Sequence, residues 1–470
     1  MSDETLTRKT AGELAQLVKT RAASPVEILD AHLDAIARLN PRLNAIVTLA
    51  ADRAREAARD AERRALRGEA LGPLHGLPVG IKDVVETAGI RTTYGSPLYK
   101  DHVPTEDAEV VRRLKQAGAI VLAKTNTPEF ATGANTVNEL FGATRNPWNA
   151  DLSPAGSSGG SAVAVATGML PLAHGTDFGG SVRVPAAFCG IVGIRPTPGL
   201  TPNHPLPLPW DPGQVHGPLA RTAEDAARML DAMVGFGRIS PISVAPPWRS
   251  ALAAVAASRD AKGLRLAYCP DIAGIGVDAE IDAVCRQAAM ALADAGAEVE
   301  EVAFDASEGL EPYLTWRGVW MVGQQFGRLD RLEEFGANLR DNVKAGLKVT
   351  ALDLARAEHV RQRLFLRFRD LFERFDLLLT PAAPIRPFPV AQNFPTEING
   401  RRLENYIHWI AALFLVTLMS LPAASVPAGK TRDGLPVGLQ IVGARFEEPR
   451  ILSLAKVIET MQPIGWPPII

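Results

Sequence analysis

Cysteine is scarce in this chain of 470 residues, and the few cysteines show no pattern of pairing. Only Cys189, Cys269 and Cys285 occur, and no two of them stand at the CxxC spacing. Such a sparse and odd count argues against a disulfide framework and is typical of a reducing compartment. The first ten residues, MSDETLTRKT, hold no apolar segment after the charges, so the sequence predicts no secretory signal. We therefore expect a cytoplasmic protein.

The chain also lacks an excess of one charge and a long hydrophobic run. Its 50 Lys and Arg residues are balanced by 52 Asp and Glu residues, which gives no support to nucleic-acid binding. The best candidate for a membrane span, residues 409–419, has about half of the ~20 residues that a spanning helix needs, and Pro422 follows it. We predict a buried helix there, and we expect neither a nucleic acid nor a membrane as partner.

Several motifs of well-known chemistry are missing. The sequence contains no Walker A motif, no HExxH and no GxGxxG, and its eight histidines are scattered without the spacing of metal ligands. We therefore expect neither a metal ion nor an organic cofactor.

The apolar patterns that are present predict an α/β fold. The first 70 residues have helical spacing and are expected to pack on the core, with a helix at 26–39 that ends at Asn40 and Pro41. Further along, short apolar runs alternate with helical segments, which indicates a central and mostly buried sheet in one domain over residues 1–470. Examples are residues 77–81 (strand), 107–117 (helix), 119–123 (strand), 264–268 (strand), 279–295 (helix) and 298–302 (strand).

Two features allow two interpretations each. Residues 196–212 contain seven prolines, which fits either a rigid surface loop or one wall of a pocket. Aromatic side chains in the second half of the chain either pack in the core or line an apolar pocket. These aromatic residues are Trp316, Trp320, Phe326, Phe335 and Trp409.

Residues 153–161 form a serine- and glycine-rich cluster. Within it, residues 156–160 fit G-x-S-x-G centred on Ser158, the nucleophile elbow of an α/β-hydrolase. The elbow requires a strand directly before it, and residues 149–154 are typical of a loop instead. A flexible turn is the alternative for the cluster as a whole.

A second glycine-rich segment, residues 175–185, places two glycines before Ser181. Such glycines let backbone N–H groups converge on a developing oxyanion, next to a serine that can attack a carbonyl; a plain tight turn is the alternative. The serine needs a base, and His174 has no evident partner. Lys82, at the end of an apolar run, is either a buried base or a lysine that reaches water.

Taken together, these segments resemble the amidase signature family of serine hydrolases. The match comprises Gly-Ile-Lys82-Asp, Gly-Ser157-Ser-Gly-Gly-Ser and Gly-Thr-Asp-Phe-Gly-Gly-Ser181-Val-Arg-Val-Pro, in that order and at fitting separations. Further similarity reaches from the N-terminal helices to residues 434–440, so nearly the whole chain is covered. The resemblance implies an α/β fold with a large, mixed, twisted β-sheet covered by helices on both faces.

The resemblance also implies a role for each matched residue. Ser181 corresponds to the nucleophile, Ser157 to a bridging serine whose peptide bond is cis, and Lys82 to the base. The implied oxyanion hole consists of the backbone N–H groups of Phe178, Gly179, Gly180 and Ser181, and the implied supporting residues are Asp177, Arg183 and Ser158.

This mechanism sets a condition on Lys82. A free lysine has a pKa of about 10.4, and bringing it near 7 costs roughly 4 kcal/mol, which burial must supply. A Lys82 in bulk water would exclude the mechanism. The sequence departs from the family at Ala155, where glycine is common, and at Phe178, whose ring is expected to narrow the acyl site.

We expect hydrolysis of the C–N bond of a small, mostly apolar, linear carboxylic amide, by a chain that forms a homodimer, as family members often do. One alternative is the amidotransferase A-type glutaminase subunit of a tRNA-dependent complex. The segment after Arg195, rich in Pro, Leu and Trp, does not resemble that subunit. Another alternative is a hydrolase of cyclic or oligomeric aliphatic amides, which residues 394–400 and Tyr406 suggest. A binding protein without activity is disfavoured because the whole triad is present.

Overall fold

A mixed β-sheet of eleven strands forms the centre of the computed structural model, which describes residues 3–403 and 405–469. The strands are β1 (Ile46–Leu49), β2 (Pro78–Lys82), β3 (Ile120–Thr125), β4 (Val137–Asn138), β5 (Gly142–Ala143), β6 (Leu172–Asp177), β7 (Val192–Arg195), β8 (Val215–Ala220), β9 (Arg265–Tyr268), β10 (Glu298–Glu301), β11 (Leu377–Pro381), β12 (Glu397–Ile398), β13 (Arg401–Arg402), β14 (Ala423–Lys430) and β15 (Pro436–Val442). The α-helices are α1 (Asp3–Arg8), α2 (Ala11–Thr20), α3 (Pro25–Leu43), α4 (Ala51–Leu66), α5 (Glu109–Gln116), α6 (Gly159–Ala166), α7 (Arg183–Cys189), α8 (Ala223–Met233), α9 (Ala251–Ala257), α10 (Ala279–Met290), α11 (Leu310–Gln325), α12 (Ala337–Gly346), α13 (Ala351–Arg374), α14 (Ala411–Leu418) and α15 (Glu448–Met461). Short 3₁₀ helices cover Pro97–Tyr99, Glu129–Ala131, Ala291–Ala293, Ser307–Gly309, Phe326–Glu334 and His408–Ile410.

The large sheet has the strand order β1-β3-β2-β6-β8-β7-β14-β15-β11-β9-β10. Pairing is parallel among β3, β2 and β6 and among β11, β9 and β10, and antiparallel elsewhere in this sheet. The mixed sheet predicted from the sequence is confirmed.

Helices cover both faces of the sheet. Successive side chains of a strand point to opposite faces. Leu377 and Leu379 of β11 belong to one hydrophobic cluster, whereas Leu378 between them belongs to another. Helices α8, α9, α10 and α15 pack in the first cluster, and α13 and α14 pack in the second. The predicted arrangement of helices on two faces is therefore confirmed.

Helix α3 runs further than the sequence indicates. Its start is fixed by a capping box, in which Ser24 and Glu27 exchange side-chain-to-backbone hydrogen bonds. The end predicted at Pro41 is wrong, because the helix continues to Leu43. Leu43 is fully buried, and the Asn44 N–H donates to the Asn40 carbonyl oxygen at 2.7 Å, so packing and a C-cap hold the last turn despite the proline.

The apolar segment at 409–419 contains α14, whose residues are almost all buried, which confirms the predicted core helix. Within the described ranges, every helix is too short or too polar to cross a membrane.

Candidate active site

Two parallel strands end side by side and define the site. β2 and β6 are hydrogen-bonded in parallel, so their carboxyl ends lie at the same edge of the sheet. Lys82 is the last residue of β2, and Thr176 lies at the end of β6. Helix α6 begins just after Ser157 and Ser158, and the loop 178–182 joins β6 to α7. The three segments that carry the family motifs therefore meet at one place.

Lys82 lies in a pocket of hydroxyl groups shielded from water. Its Nζ atom lies 2.6 Å from Ser157 Oγ, 2.9 Å from Ser158 Oγ and 2.9 Å from Thr176 Oγ1. The residue is 0% exposed, so the burial predicted from the sequence is confirmed. This burial lowers the pKa of Lys82 well below its ordinary value, although the charge of Asp177 acts in the opposite direction. A neutral amine donates two hydrogen bonds and accepts one, which matches three hydroxyl neighbours.

Ser157 and Ser181 line the same small cavity, of about 40 Å³. The peptide bond between Gly156 and Ser157 is cis, as the resemblance implies. Ser157 is fully buried, whereas Ser181 is partly exposed. The Ser158 N–H donates to the Ser181 carbonyl oxygen at 3.1 Å, which ties the two loops together. Ser157 thus contacts the lysine and also borders the cavity into which Ser181 opens.

The turn before Ser181 has no room for side chains. A Cβ atom on Gly179 would lie 2.6 Å from Tyr313 Oη, and one on Gly180 would lie 2.7 Å from Leu413 Cδ2. Gly180 also has a φ of +116°, which other residues rarely adopt. The local geometry therefore requires glycine at both positions, whereas an ordinary turn could accept a residue with a side chain.

Asp177 and Arg183 form a buried ion pair beneath this turn. Arg183 Nε and Nη2 donate to the two carboxylate oxygens at 3.0 and 2.9 Å. Burial by itself raises the pKa of Asp177, but the charges of Arg183 and Arg195 outweigh it and hold this pKa well below its usual range. Asp177 also accepts from the N–H groups of Gly180 at 2.9 Å and Val182 at 3.1 Å. The Gly180 N–H is therefore already engaged, which differs from the oxyanion role that the resemblance implies.

Two alternative roles from the sequence, His174 as the base and Ser158 as the nucleophile, are not supported, whereas the contact of Ser158 with Lys82 fits its expected supporting role. His174 Nε2 lies 2.9 Å from His216 Nδ1, and burial lowers the pKa of both rings, so His174 is paired with a histidine and not with a serine. Ser158 Oγ faces Lys82 and the Thr176 carbonyl oxygen. Residues 153–157 form no strand, so the nucleophile-elbow interpretation of Ser158 is wrong.

A larger cavity of about 690 Å³ adjoins the small one. The two cavities share five lining residues, which are Phe130, Ala131, Gln214, Trp320 and Met321. The proline-rich segment 196–212 also contributes to the larger cavity, through Asn203, His204, Pro205, Leu206, Pro207 and Pro209. The pocket-wall interpretation of this segment is therefore confirmed, although Trp210 within it is 74% exposed.

The aromatic residues are divided among the core, the pocket and the surface. Trp409 is fully buried in a hydrophobic cluster, whereas Phe326 is 76% exposed. Trp320 lines both cavities, and the ring of Phe178 stacks on it at a centroid distance of 4.2 Å. Because Phe178 also lines the small cavity, its ring occupies space beside Ser181.

Three residues at the site escaped the sequence analysis. Thr176 contacts Lys82, and Arg195 Nη1 donates to the carbonyl oxygens of Asp177 at 2.7 Å and Gly213 at 2.9 Å. Thr176 lies inside a matched motif and Arg195 lies beside one, so a polar side chain at these positions could have marked them as site residues. Arg317, on α11, lines the small cavity without any motif to mark it. In the part of the chain that the structure describes, no group of three or more His, Cys, Asp or Glu side chains is placed to hold a metal ion.

Comparisons with known proteins find relatives over nearly the whole chain. The Amidase family model matches residues 27–452. An acylamidase from Rhodococcus erythropolis is 36% identical over 471 residues, covering 98% of this chain and 97% of its own. The A subunit of the glutamyl-tRNA(Gln) amidotransferase from Acidothermus cellulolyticus is 36% identical over 495 residues, covering 98% of this chain and 95% of its own. The crystal structure of a bacterial aryl acylamidase superposes with a TM-score of 0.90 at 29% identity, covering 97% of this chain and 96% of that chain.

The fold and these relatives together define an amidohydrolase that acts on C–N amide bonds. The chain belongs to the amidase family, whose structures include amidase signature enzymes.

Proposed function

We propose that this chain hydrolyses a small, mostly apolar carboxylic amide through an acyl-enzyme on Ser181. The observation that carries the proposal is the buried Lys82, with its Nζ atom 2.6 Å from Ser157 Oγ, next to the cavity that Ser157 shares with Ser181. Just over half of the residues in the wall of that cavity, among them Phe178, Trp320 and Ile410, have aromatic or aliphatic side chains, which favours a mostly apolar substrate.

In the acylation step, neutral Lys82 takes the proton of Ser157 Oγ, and Ser157 takes the proton of Ser181 Oγ. Ser181 Oγ forms a bond to the amide carbonyl carbon, and the carbonyl oxygen becomes an oxyanion. The N–H groups of Phe178, Gly179 and Ser181 stabilise it, and Gly180 joins them only when Asp177 releases its N–H.

The proton on Lys82 then returns through Ser157 to the leaving nitrogen. The C–N bond breaks, and an amine or ammonia departs. The acyl group stays bonded to Ser181 Oγ as an ester. A water molecule then attacks the carbonyl carbon of this ester, and its proton passes through Ser157 and Lys82 to Ser181 Oγ. The bond from Ser181 Oγ to the acyl group breaks, and the carboxylic acid departs. The net reaction consumes one amide and one water and yields one acid and one amine.

The test is active-site labelling with a fluorophosphonate, mapped by mass spectrometry. We expect the label on Ser181, and we expect Lys82→Met to reduce the labelling rate by roughly 10²- to 10⁴-fold, the usual contribution of a general base. Lys124→Met is a matched control, because Lys124 is also fully buried but contacts Val85, Thr87 and Thr92. Its labelling rate per folded molecule should stay close to that of the parent chain.

A label on Ser158, or equal labelling of Ser181 in Lys82→Met and the parent, would contradict the proposal. A panel of aryl, linear aliphatic and cyclic aliphatic amides then identifies the substrate class through amine release.

The second candidate is a glutaminase subunit, which the amidotransferase relatives favour. That function predicts ammonia release from glutamine only when partner subunits are added, and poor turnover of simple amides by this chain alone. We favour the free-standing hydrolase. We also propose a single domain over residues 1–470, a homodimer and a cytoplasmic location. Size-exclusion chromatography with light scattering tests the homodimer, and cell fractionation tests the location.

A further inference from the structure

A buried arginine borders the nucleophile cavity, and no carboxylate among the described side chains pairs with it. Arg317 is only 6% exposed. Its Nη1 atom donates to Asn342 Oδ1 and its Nη2 atom to the Tyr406 hydroxyl, which are both uncharged acceptors. Among the side chains of residues 4–403 and 405–469, no Asp or Glu forms an ion pair with it.

The other buried arginines of the site each have a carboxylate within ion-pair distance, and the two share the same one. Arg183 and Arg195 both face Asp177, with shortest nitrogen-to-oxygen distances of 2.9 and 3.6 Å. Removing a guanidinium from water is costly, and proteins ordinarily offset this cost with an opposite charge. Arg317 therefore retains a positive charge that the described side chains do not neutralise at contact distance.

The position of Arg317 shows where a neutralising group can come from. Of the described residues that line the small cavity, Arg317 is the one with a charged side chain. Ser157 and Ser181 border the same cavity, and apolar side chains such as Trp320 and Ile410 make up much of the rest. A ligand in this cavity thus meets the triad, an apolar wall and one cation.

We propose that Arg317, oriented by Asn342 and Tyr406, binds a carboxylate carried by the substrate. This proposal rests on the proposed function and narrows it to amides with an anionic group on the acyl arm or on the amine arm. A guanidinium presents several N–H donors in a plane, which suits a carboxylate, and its affinity rises when water is excluded. Neutral acceptors at Asn342 and Tyr406 fix the orientation and leave the charge for the substrate.

The first test compares substrates that differ only in the charge of one group. For the acyl arm, the 4-nitroanilide of succinic acid is compared with that of 4-oxopentanoic acid, in which a methyl ketone replaces the carboxylate. For the amine arm, 4-acetamidobenzoate is compared with 4-acetamidoacetophenone. In one of the two pairs, we expect kcat/KM to favour the anionic member by roughly tenfold or more, in line with charge-assisted hydrogen bonds.

Two variants address Arg317 directly. Arg317→Gln should abolish the preference, because it removes the positive charge that binds the carboxylate. The ratio of kcat/KM within a pair is the readout, since a folding defect lowers both members equally. Asn342→Asp keeps the arginine and supplies a carboxylate at its Nη1 atom, so the preference should fall while the thermal midpoint stays equal or rises. This second variant keeps the test decisive where Arg317→Gln does not fold.

Arg328→Gln distinguishes the inner subsite from the larger cavity, which Arg328 lines. The proposal is overturned if the parent shows no anionic preference on either arm, if Arg317→Gln and Asn342→Asp both keep the preference, or if Arg328→Gln alone removes it.

A binding experiment separates this proposal from the proposed function. Calorimetry with the Ser181→Ala variant compares 4-phenylbutyrate with 4-phenylbutyramide, and needs no turnover. The subsite is supported if Ser181→Ala binds 4-phenylbutyrate more tightly than 4-phenylbutyramide and Ser181→Ala/Arg317→Gln does not. This result would hold even if no amide is cleaved. Amide turnover with equal binding of the two probes supports the hydrolase and overturns the subsite.

Discussion

The chemistry of Lys82 is decided by its surroundings. In water its ammonium group would stay protonated at neutral pH. In the folded chain it is enclosed at the end of β2, and its nearest polar atoms are three hydroxyl oxygens. Hydroxyl groups solvate an amine without adding charge, so they do not oppose the effect of burial as a carboxylate in contact would. Asp177 does act in the opposite direction, but it is held by its own arginine partners.

The same residue gives a prediction for the pH dependence of activity. The pKa of Lys82 is lowered, and only the neutral amine accepts a proton, so kcat/KM should fall as the pH drops through this pKa and level off above it. The midpoint of the acid limb should lie well below the ordinary lysine value. Steady-state kinetics between pH 5 and 10, on a substrate that does not titrate, measure it.

The control for this prediction is Lys82→Met, whose residual activity should lack the same acid limb. An acid limb of equal midpoint in that variant would assign the titration to another group. Incubation at each pH followed by assay at pH 8 shows whether the enzyme survives the exposure.

At the scale of single elements, the end of α3 is harder to predict than its start. The start of α3 was evident because Ser24 and Pro25 form a local signal. The end of α3 was mispredicted because Pro41 is an ordinary stop signal, and only the burial of Leu43 shows why the helix continues. Local sequence reports the capping groups, whereas burial depends on what other parts of the chain supply.

Helix α3 gives a prediction about stability. Ser24 Oγ accepts from the Glu27 N–H at 3.1 Å, and the Glu27 carboxylate accepts from the Ser24 N–H at 2.8 Å. Ser24→Ala removes the first bond, so we expect a loss of about 1 kcal/mol in the free energy of unfolding. Urea denaturation followed by circular dichroism measures it. Ser24→Asn keeps a good N-cap and should stay near the parent; an equal loss in both variants would show that capping is not the cause.

At the scale of the whole molecule, the sheet assembles groups that are far apart in the sequence. The parallel strands β2 and β6 bring Lys82 to Thr176, and α6 carries the Ser157 segment to both. Arg317 arrives from α11, outside the matched motifs. The site is therefore a product of the sheet order, which no single motif contains.

Burial of histidines also acts on the whole molecule. His32 is fully buried, its Nδ1 atom lies 3.0 Å from the Gly168 carbonyl oxygen, and burial lowers its pKa to about 4. Between pH 6.5 and 4 the unfolded chain binds a proton at this histidine that the folded chain does not bind. Stability must therefore decrease as the pH falls through that window, and it is not affected by His32 above it.

His32→Asn tests this linkage, because the asparagine amide can still donate to the same carbonyl oxygen. We expect the free energy of unfolding to drop less between pH 7.5 and 5 in the variant than in the parent, by about 2 kcal/mol. Urea unfolding at the two pH values measures the difference. An identical drop in the parent and in His32→Asn would refute the assignment.

Local patterns along the chain were enough to establish the α/β class and the identity and order of the serines and the lysine in the motifs. The resemblance that these motifs carry implied the family and the mixed sheet with helices on both faces. In each of these, neighbouring residues or short motifs carry the information. Two features became visible only in the folded chain: the Gly180 N–H is used by Asp177, and Arg317 borders the cavity of Ser181. Each of these depends on the surroundings that distant segments create, because burial, electrostatics and hydrogen-bond competition act through space and not along the chain.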